Sequence, residues 1–140
     1  MNTSGWEHFD HPADIGIRGA GTSPEAAFEN AALALVAVVT DPAGIRGRER
    51  VAIRCEATDL ESLLVDWLNA IIFEMAARSM VFGTFHVQIT GKRLEGTALG
   101  ERVDAAKHQP AVEVKGASYA ELKVGQNADG LWIAQCIVDV

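Results

Sequence analysis

A chain of 140 residues, 49% of them hydrophobic and 22% charged, can bury a single core without disulfide or metal staples. Twelve Lys and Arg against 19 Asp and Glu leave a net charge of −7, which weighs against direct contact with phosphate-rich nucleic acid. No apolar run approaches the roughly 20 residues that cross a bilayer, and residues 1–5 lack the basic start and apolar stretch of a leader peptide. The expectation is one domain over residues 1–140, cytoplasmic, with no membrane partner.

Trp6 to His8 reads as a first strand, followed by a turn at Asp10-His11-Pro12-Ala13. Asp14 to Ala20 alternates Ile15 and Ile17 with Gly16 and Arg18, the period of a second strand. Its glycine-rich run, Gly16 to Gly21, lies inside the strand and not at a strand-to-helix turn, so it is not read as a phosphate loop. Ser23-Pro24-Glu25 opens a helix: a capping hydroxyl, a proline suited to the first turn and an acid at the positive end of the dipole. Phe28, Ala31, Ala32, Leu35, Val36 and Val39 keep helical spacing until about Thr40.

Val51, Ile53 and Cys55 alternate with polar neighbours, predicting a third strand. Thr58 and Glu61 fit a capping box, and Leu60, Leu63, Leu64, Trp67, Leu68, Ile71 and Ile72 carry a helix to about Arg78. Strands follow over Met80–Thr90, Leu94–Glu101, Ala111–Val124 and Leu131–Val140, the last two joined by a turn at residues 126–130. This order predicts an α+β fold. Its two amphipathic helices would pack on one face of a mostly antiparallel β-sheet, a single-layer sandwich. Cys55 and Cys136 each sit in an apolar run away from any histidine and read as free, buried thiols.

No nucleotide, hydrolase or zinc motif is present, so the chemistry-bearing candidates are polar groups at strand ends. His8, Asp10, His11 and Asp14 fall within seven residues, either as metal or acid–base groups or as ordinary turn residues. Asp139 interrupts an apolar strand and is followed by Val140, whose main-chain carboxylate adds a second negative group. Clustered oxygens of this kind suit a hard divalent cation such as Mg²⁺ or Ca²⁺. Lys115 shares a strand face with Glu113, as a surface ion pair or as a cation beside the carboxylates. Arg46, Arg48, Arg50 and Arg54 form the main basic cluster, and Asp66, Asn69 and Glu74 lie along the second helix.

Several segments together resemble the archease family. They are His11-Pro12-Ala13-Asp14-Ile15-Gly16, Phe28-Glu29-Asn30-Ala31-Ala32, Asp59 to Asn69, Gly100-Glu101, Glu113-Val114-Lys115 with Ser118-Tyr119, and the closing Ile137-Val138-Asp139-Val140. The resemblance runs almost the whole chain. It implies a non-catalytic partner of RtcB-type RNA ligases, which join RNA in tRNA splicing and repair through a guanylylated histidine, using GTP and a divalent metal. The partner speeds formation of that intermediate and permits repeated turnover. The resemblance places metal-binding and activity-critical positions at Asp14, Asp139 with the Val140 terminus, and Lys115, with His11 alongside. Calcium or magnesium is the implied ion, with manganese as another. Two positions depart from the family pattern: Pro12 replaces a small hydroxyl residue, and Ala120 replaces a histidine. Asp14, Lys115 and Asp139 are retained. The competing expectations are a chaperone or modulator of a tRNA-modifying enzyme, acting through exposed apolar surface, and a metal-dependent hydrolase. The site requires Asp14 and Asp139 to meet.

Overall fold

The computed structural model describes residues 1–140. β1 (Gly5–His11) and β2 (Asp14–Gly21) form a hairpin with Pro12-Ala13 as its two-residue loop. Pro12 presets the first loop position, and Ala13 takes the left-handed φ of 64° at the second. α1 (Pro24–Val39) is capped by Ser23, whose hydroxyl accepts from Ala26 N–H at 3.1 Å. β3 (Glu49–Glu56) leads to α2 (Leu60–Arg78), then to β4 (Met80–Thr90) and β5 (Arg93–Arg102). Asp59, not Thr58, caps α2: its carboxylate reaches Ser62 N–H at 2.7 Å, the site a Thr58 hydroxyl was expected to serve one residue earlier. After the short α3 (Ala105–His108) come β6 (Gly116–Ala117), β7 (Lys123–Gln126) and β8 (Trp132–Asp139).

The fold is α+β with antiparallel strands, as expected, but the strands divide into two sheets where one was expected. One has the order β1-β2-β8, with β6 and β7 taking successive stretches of β8's other edge; the other is β3-β5-β4. Both helices touch both sheets, and one core cluster of 25 buried residues spans them. The division has a packing reason. α1 is buried at Ala27, Phe28, Ala31, Ala32, Ala34, Leu35, Val36 and Val38, too wide an arc for one sheet to cover.

Glycines let these layers close. A Cβ on Gly19 would stand 2.2 Å from Ala31 N and 2.4 Å from Ala27 O, so α1 lies directly on the backbone of β2. Within the glycine-rich run, Gly19 and Gly21 serve helix–strand approach, while Gly16 makes room for the Phe9 ring. Trp67 of α2 lies over Gly96 of β5, meets Phe85 edge-on with ring centres 5.9 Å apart, and donates Nε1–H to Phe28 O at 3.2 Å. These contacts tie α2, α1 and the second sheet to one another.

The predicted strand over Ala111–Val124 is not formed as such. Pro110 has no N–H to offer a ladder, and residues 111–115 bond elsewhere: Ala111 N–H to Val39 O, and Lys115 N–H to Asp139 O, both at 2.8 Å. The alternation of Val112 and Val114 comes from the segment lying over the ends of α1 and α2, with Val114 buried and Val112 exposed. The β7–β8 hairpin forms as predicted, its turn organised by Asn127 Oδ1, which accepts from Asp129 and Leu131 N–H. Cys55 and Cys136 are free and lie in different sheets; burial pushes their thiols up to about 11 and about 12.

Candidate functional site

The register of the first sheet assembles the predicted corner. β2 and β8 pair with Ile15 opposite Val138, Ile17 opposite Cys136 and Gly19 opposite Ala134. Asp14 and Asp139 follow that last pair, at the adjoining ends of the two strands. His11 pairs with Asp14 on the other side, and Gly116 pairs with Asp139. His11, Asp14, Asp139 and Gly116 thus lie along one end of four adjacent strands, and alternation places the Asp14 and Asp139 side chains on the same face. Lys115 precedes Gly116, and its N–H is bonded to the Asp139 carbonyl. Val140 follows, 37% exposed.

The shared face is the one turned away from α1. Ile15, Ile17 and Gly19 of β2 point to the helix, as do Val138, Cys136 and Ala134 of β8. Alternation sends Asp14 and Asp139 outward. Asp14 is half-buried, while Asp139 and Lys115 are exposed. The Nδ1 of His11 is buried and has no hydrogen-bond partner, an orphaned polar atom at the edge of the row.

The other two members of the predicted N-terminal cluster are not in this row. His8 and Asp10 project from the opposite face of β1, and His8 Nε2 lies 2.7 Å from Ala34 O of α1. The four residues that are close in sequence are therefore two pairs facing opposite ways. Glu113 and Lys115 make no ion pair with each other.

The profile of the Archease protein family (MTH1598/TM1083) matches residues 6–140. The chain belongs to the archease family. It is 42% identical to protein archease of Pyrococcus furiosus, over 96% of this chain and 98% of that protein. Protein archease of Methanosarcina barkeri is 36% identical, over 96% and 95%. Among solved structures, Methanobacterium thermoautotrophicum protein 1598 superposes with a TM-score of 0.85 at 33% identity, covering all of both chains. A Thermotoga maritima structure, described as an archease and possible chaperone, has the same fold, with a TM-score of 0.64 at 21% identity over 94% of each chain.

A divalent cation, expected from the sequence, would meet two carboxylates at this corner. Two carboxylates are hard oxygen ligands, suited to Mg²⁺, Ca²⁺ or Mn²⁺ and not to a soft thiolate-seeking metal. No three His, Cys, Asp or Glu side chains converge into a ready-made metal cage. The set fits an ion that keeps several waters or takes oxygens from elsewhere, as Mg²⁺ does with phosphates.

A second charged group escaped the sequence reading. Glu101, at the end of β5, is only 8% exposed although its neighbours Arg102, Val103 and Asp104 face solvent. Its carboxylate accepts from Arg46 N–H at 2.9 Å and from Lys107 Nζ at 2.6 Å, with Arg48 Nε at 3.7 Å. His108 Nδ1 accepts from Asp104 N–H, so its proton sits on Nε2, which donates to Glu101 at 3.1 Å. The backbone bond from Arg46, followed by Lys107 and His108, holds the Glu101 carboxyl down at about 2. The glutamate fastens the 45–48 loop and α3 to the second sheet. Arg48 of the basic cluster is absorbed in this way, while Arg50 and Arg54 stay exposed and unpaired on the outside of β3. The available sequence signal was an acid flanked by Arg46, Arg48, Lys107 and His108 on two loops.

Proposed function

We propose that this chain is a non-catalytic accessory protein that activates an RtcB-type RNA ligase, promoting guanylylation of the ligase and repeated turnover in tRNA splicing or RNA repair. Membership of the archease family supports the class of role. The observation that supports the reading is the β2–β8 register, whose last pair, Ile15 opposite Val138, leaves Asp14 and Asp139 at adjoining strand ends across more than a hundred residues of chain.

In this reading Asp14 and Asp139, with Val140 beside them, would hold a divalent cation. Such an ion, when bound, neutralises charge on phosphate oxygens during phosphoryl transfer. The protein's part is positional. The backbone bond from Lys115 to Asp139 and the β1–β2 hairpin fix the main chain that carries both carboxylates, so little backbone ordering remains at contact. The incomplete ligand set leaves positions for oxygens of the ligase-bound nucleotide. Lys115, at the same corner, offers a positive group to the same phosphates. The acidic surface speeds encounter with a basic, RNA-binding enzyme.

The test is multiple-turnover RNA joining with ligase limiting, with and without this protein. Wild type should raise the number of turnovers, whereas Asp14→Ala and Asp139→Ala should fold and fail to do so. Equal stimulation by both variants would remove the corner from the mechanism.

One feature favours the chaperone or modulator reading: an apolar groove of about 630 Å³, lined by Val39, Ile72, Met75, Met80, Val103 and Val112. Suppression of a tRNA-modifying enzyme's aggregation that survives Asp139→Ala and is lost on Met75→Glu would support it.

A further inference from the structure

We propose that Tyr119 is the anchor by which the acidic corner's partner protein is gripped, and that a polar relay across the first sheet holds it ready. This rests on the corner being a docking tip. Tyr119 is the chain's only tyrosine and is 65% exposed. A lone exposed aromatic is commonplace; what sets this one apart is the loop that carries it.

The 118–122 loop is fixed at almost every residue. Ser118 N–H donates to Ile137 O at 2.9 Å, and Ile137 N–H donates back to Ala120 O at 3.1 Å. Ser118 Oγ accepts from Ala120 N–H, and Leu122 N–H closes the turn on Tyr119 O. Glu121 sits at a φ of 54°, a left-handed conformation that non-glycine residues seldom adopt unless held.

The hold comes from across the sheet. Gln135 of β8, only 8% exposed, donates Nε2–H to Glu121 O at 3.1 Å, and its Oε1 accepts from Arg18 Nε of β2 at 2.8 Å. Arg18 in turn pairs with Glu7 of β1 at 2.6 Å and lies over the Phe9 ring at 4.4 Å. Side chains from three strands thus end on one main-chain oxygen, two residues from the tyrosine. Residues 116 and 117 pair with Asp139 and Val138, so Ser118 stands level with Ile137. Ala120 is bonded to Ile137 as well, so Tyr119 lies about 7 Å along the strand from the corner. A standard interface covers about 800 Å² on each partner, so a protein seated on the corner also covers this loop.

The occupant is a protein and not a free nucleic acid. The chain's net charge of −7 repels an extended phosphate backbone. The fitting surface is an apolar pocket edged by arginine or lysine, which complements both the ring face and the carboxylates. A rigid tyrosine loses little freedom on entering such a pocket.

Titrating wild type, Tyr119→Ala, Tyr119→Phe and Gln135→Met against an RtcB-type ligase tests this, with Kd and the saturating guanylylation rate read separately. Tyr119→Ala should weaken Kd about tenfold or more, with the saturating rate unchanged. Tyr119→Phe should keep most of the affinity, and Gln135→Met, confirmed folded by its melt, should fall between. Wild-type affinity in Tyr119→Ala overturns the proposal, as does an unchanged Kd with an altered nucleotide preference, which would mean base stacking. A wild type that does not bind the ligase overturns both this and the docking role. Binding without stimulation sinks only the activation reading.

Discussion

Replacing Asp139 with Asn separates what the corner does from what the fold needs. The substitution keeps shape and leaves the Asp139 main-chain partners, Lys115 and Gly116, untouched. It removes one of two like charges at adjoining strand ends; at a separation of about 5 Å, in a water-like medium, the repulsion is about 0.8 kcal/mol, less in salt. Without divalent cation the variant should therefore be slightly more stable than wild type. For 140 residues the unfolding entropy is about 0.3 kcal/mol/K, so the rise in Tm is about 2–3 °C at low salt. With Mg²⁺, Ca²⁺ or Mn²⁺ at a hundred times its Kd, wild type should gain about 2.7 kcal/mol, or about 9 °C, and the variant should gain almost nothing. Thermal melts with chelator and with each cation give all four numbers. A lower Tm for Asp139→Asn in chelator, or a cation-dependent rise that survives the substitution, would refute the converging-carboxylate argument.

Gly19→Ala should destabilise the protein by about 3 kcal/mol or more, because the new Cβ meets backbone of α1 that cannot turn aside as a side chain could; a urea melt indistinguishable from wild type would disprove the close helix–strand contact. Glu101→Gln should lower Tm at neutral pH. Since the folded carboxyl titrates at about 2 against an ordinary 4.5, its stabilisation is present above about 4.5 and fades as pH falls toward 2. The gap between wild type and variant should close over that window, and melting curves that stay parallel from pH 7 to pH 2 would contradict it.

What could be read from the sequence was whatever is encoded locally. Ser23 and the apolar period of α1, the leucine and tryptophan stripe of α2, and the Asn127 turn before β8 all announce themselves within a few residues. Asp14 and Asp139 were visible as carboxylates at strand ends. Their meeting was not, because no local signal states that β2 pairs with β8 or in which register. The division into two sheets was hidden for the same reason. Val112 and Val114 misled because a segment lying over helix ends can alternate like a strand while making no ladder. Glu101 is buried by two loops arriving from residues 45–48 and 104–108, which strand alternation does not describe.

The most direct measurement is the amount of covalent guanylate formed on an RtcB-type ligase supplied with GTP and divalent metal, with trace wild-type protein, with Asp14→Asn, with Asp139→Asn, and alone. Both variants should match the ligase alone while wild type exceeds it severalfold. Accelerated guanylylation by either variant, or none by wild type, would contradict a tip built from these two aspartates.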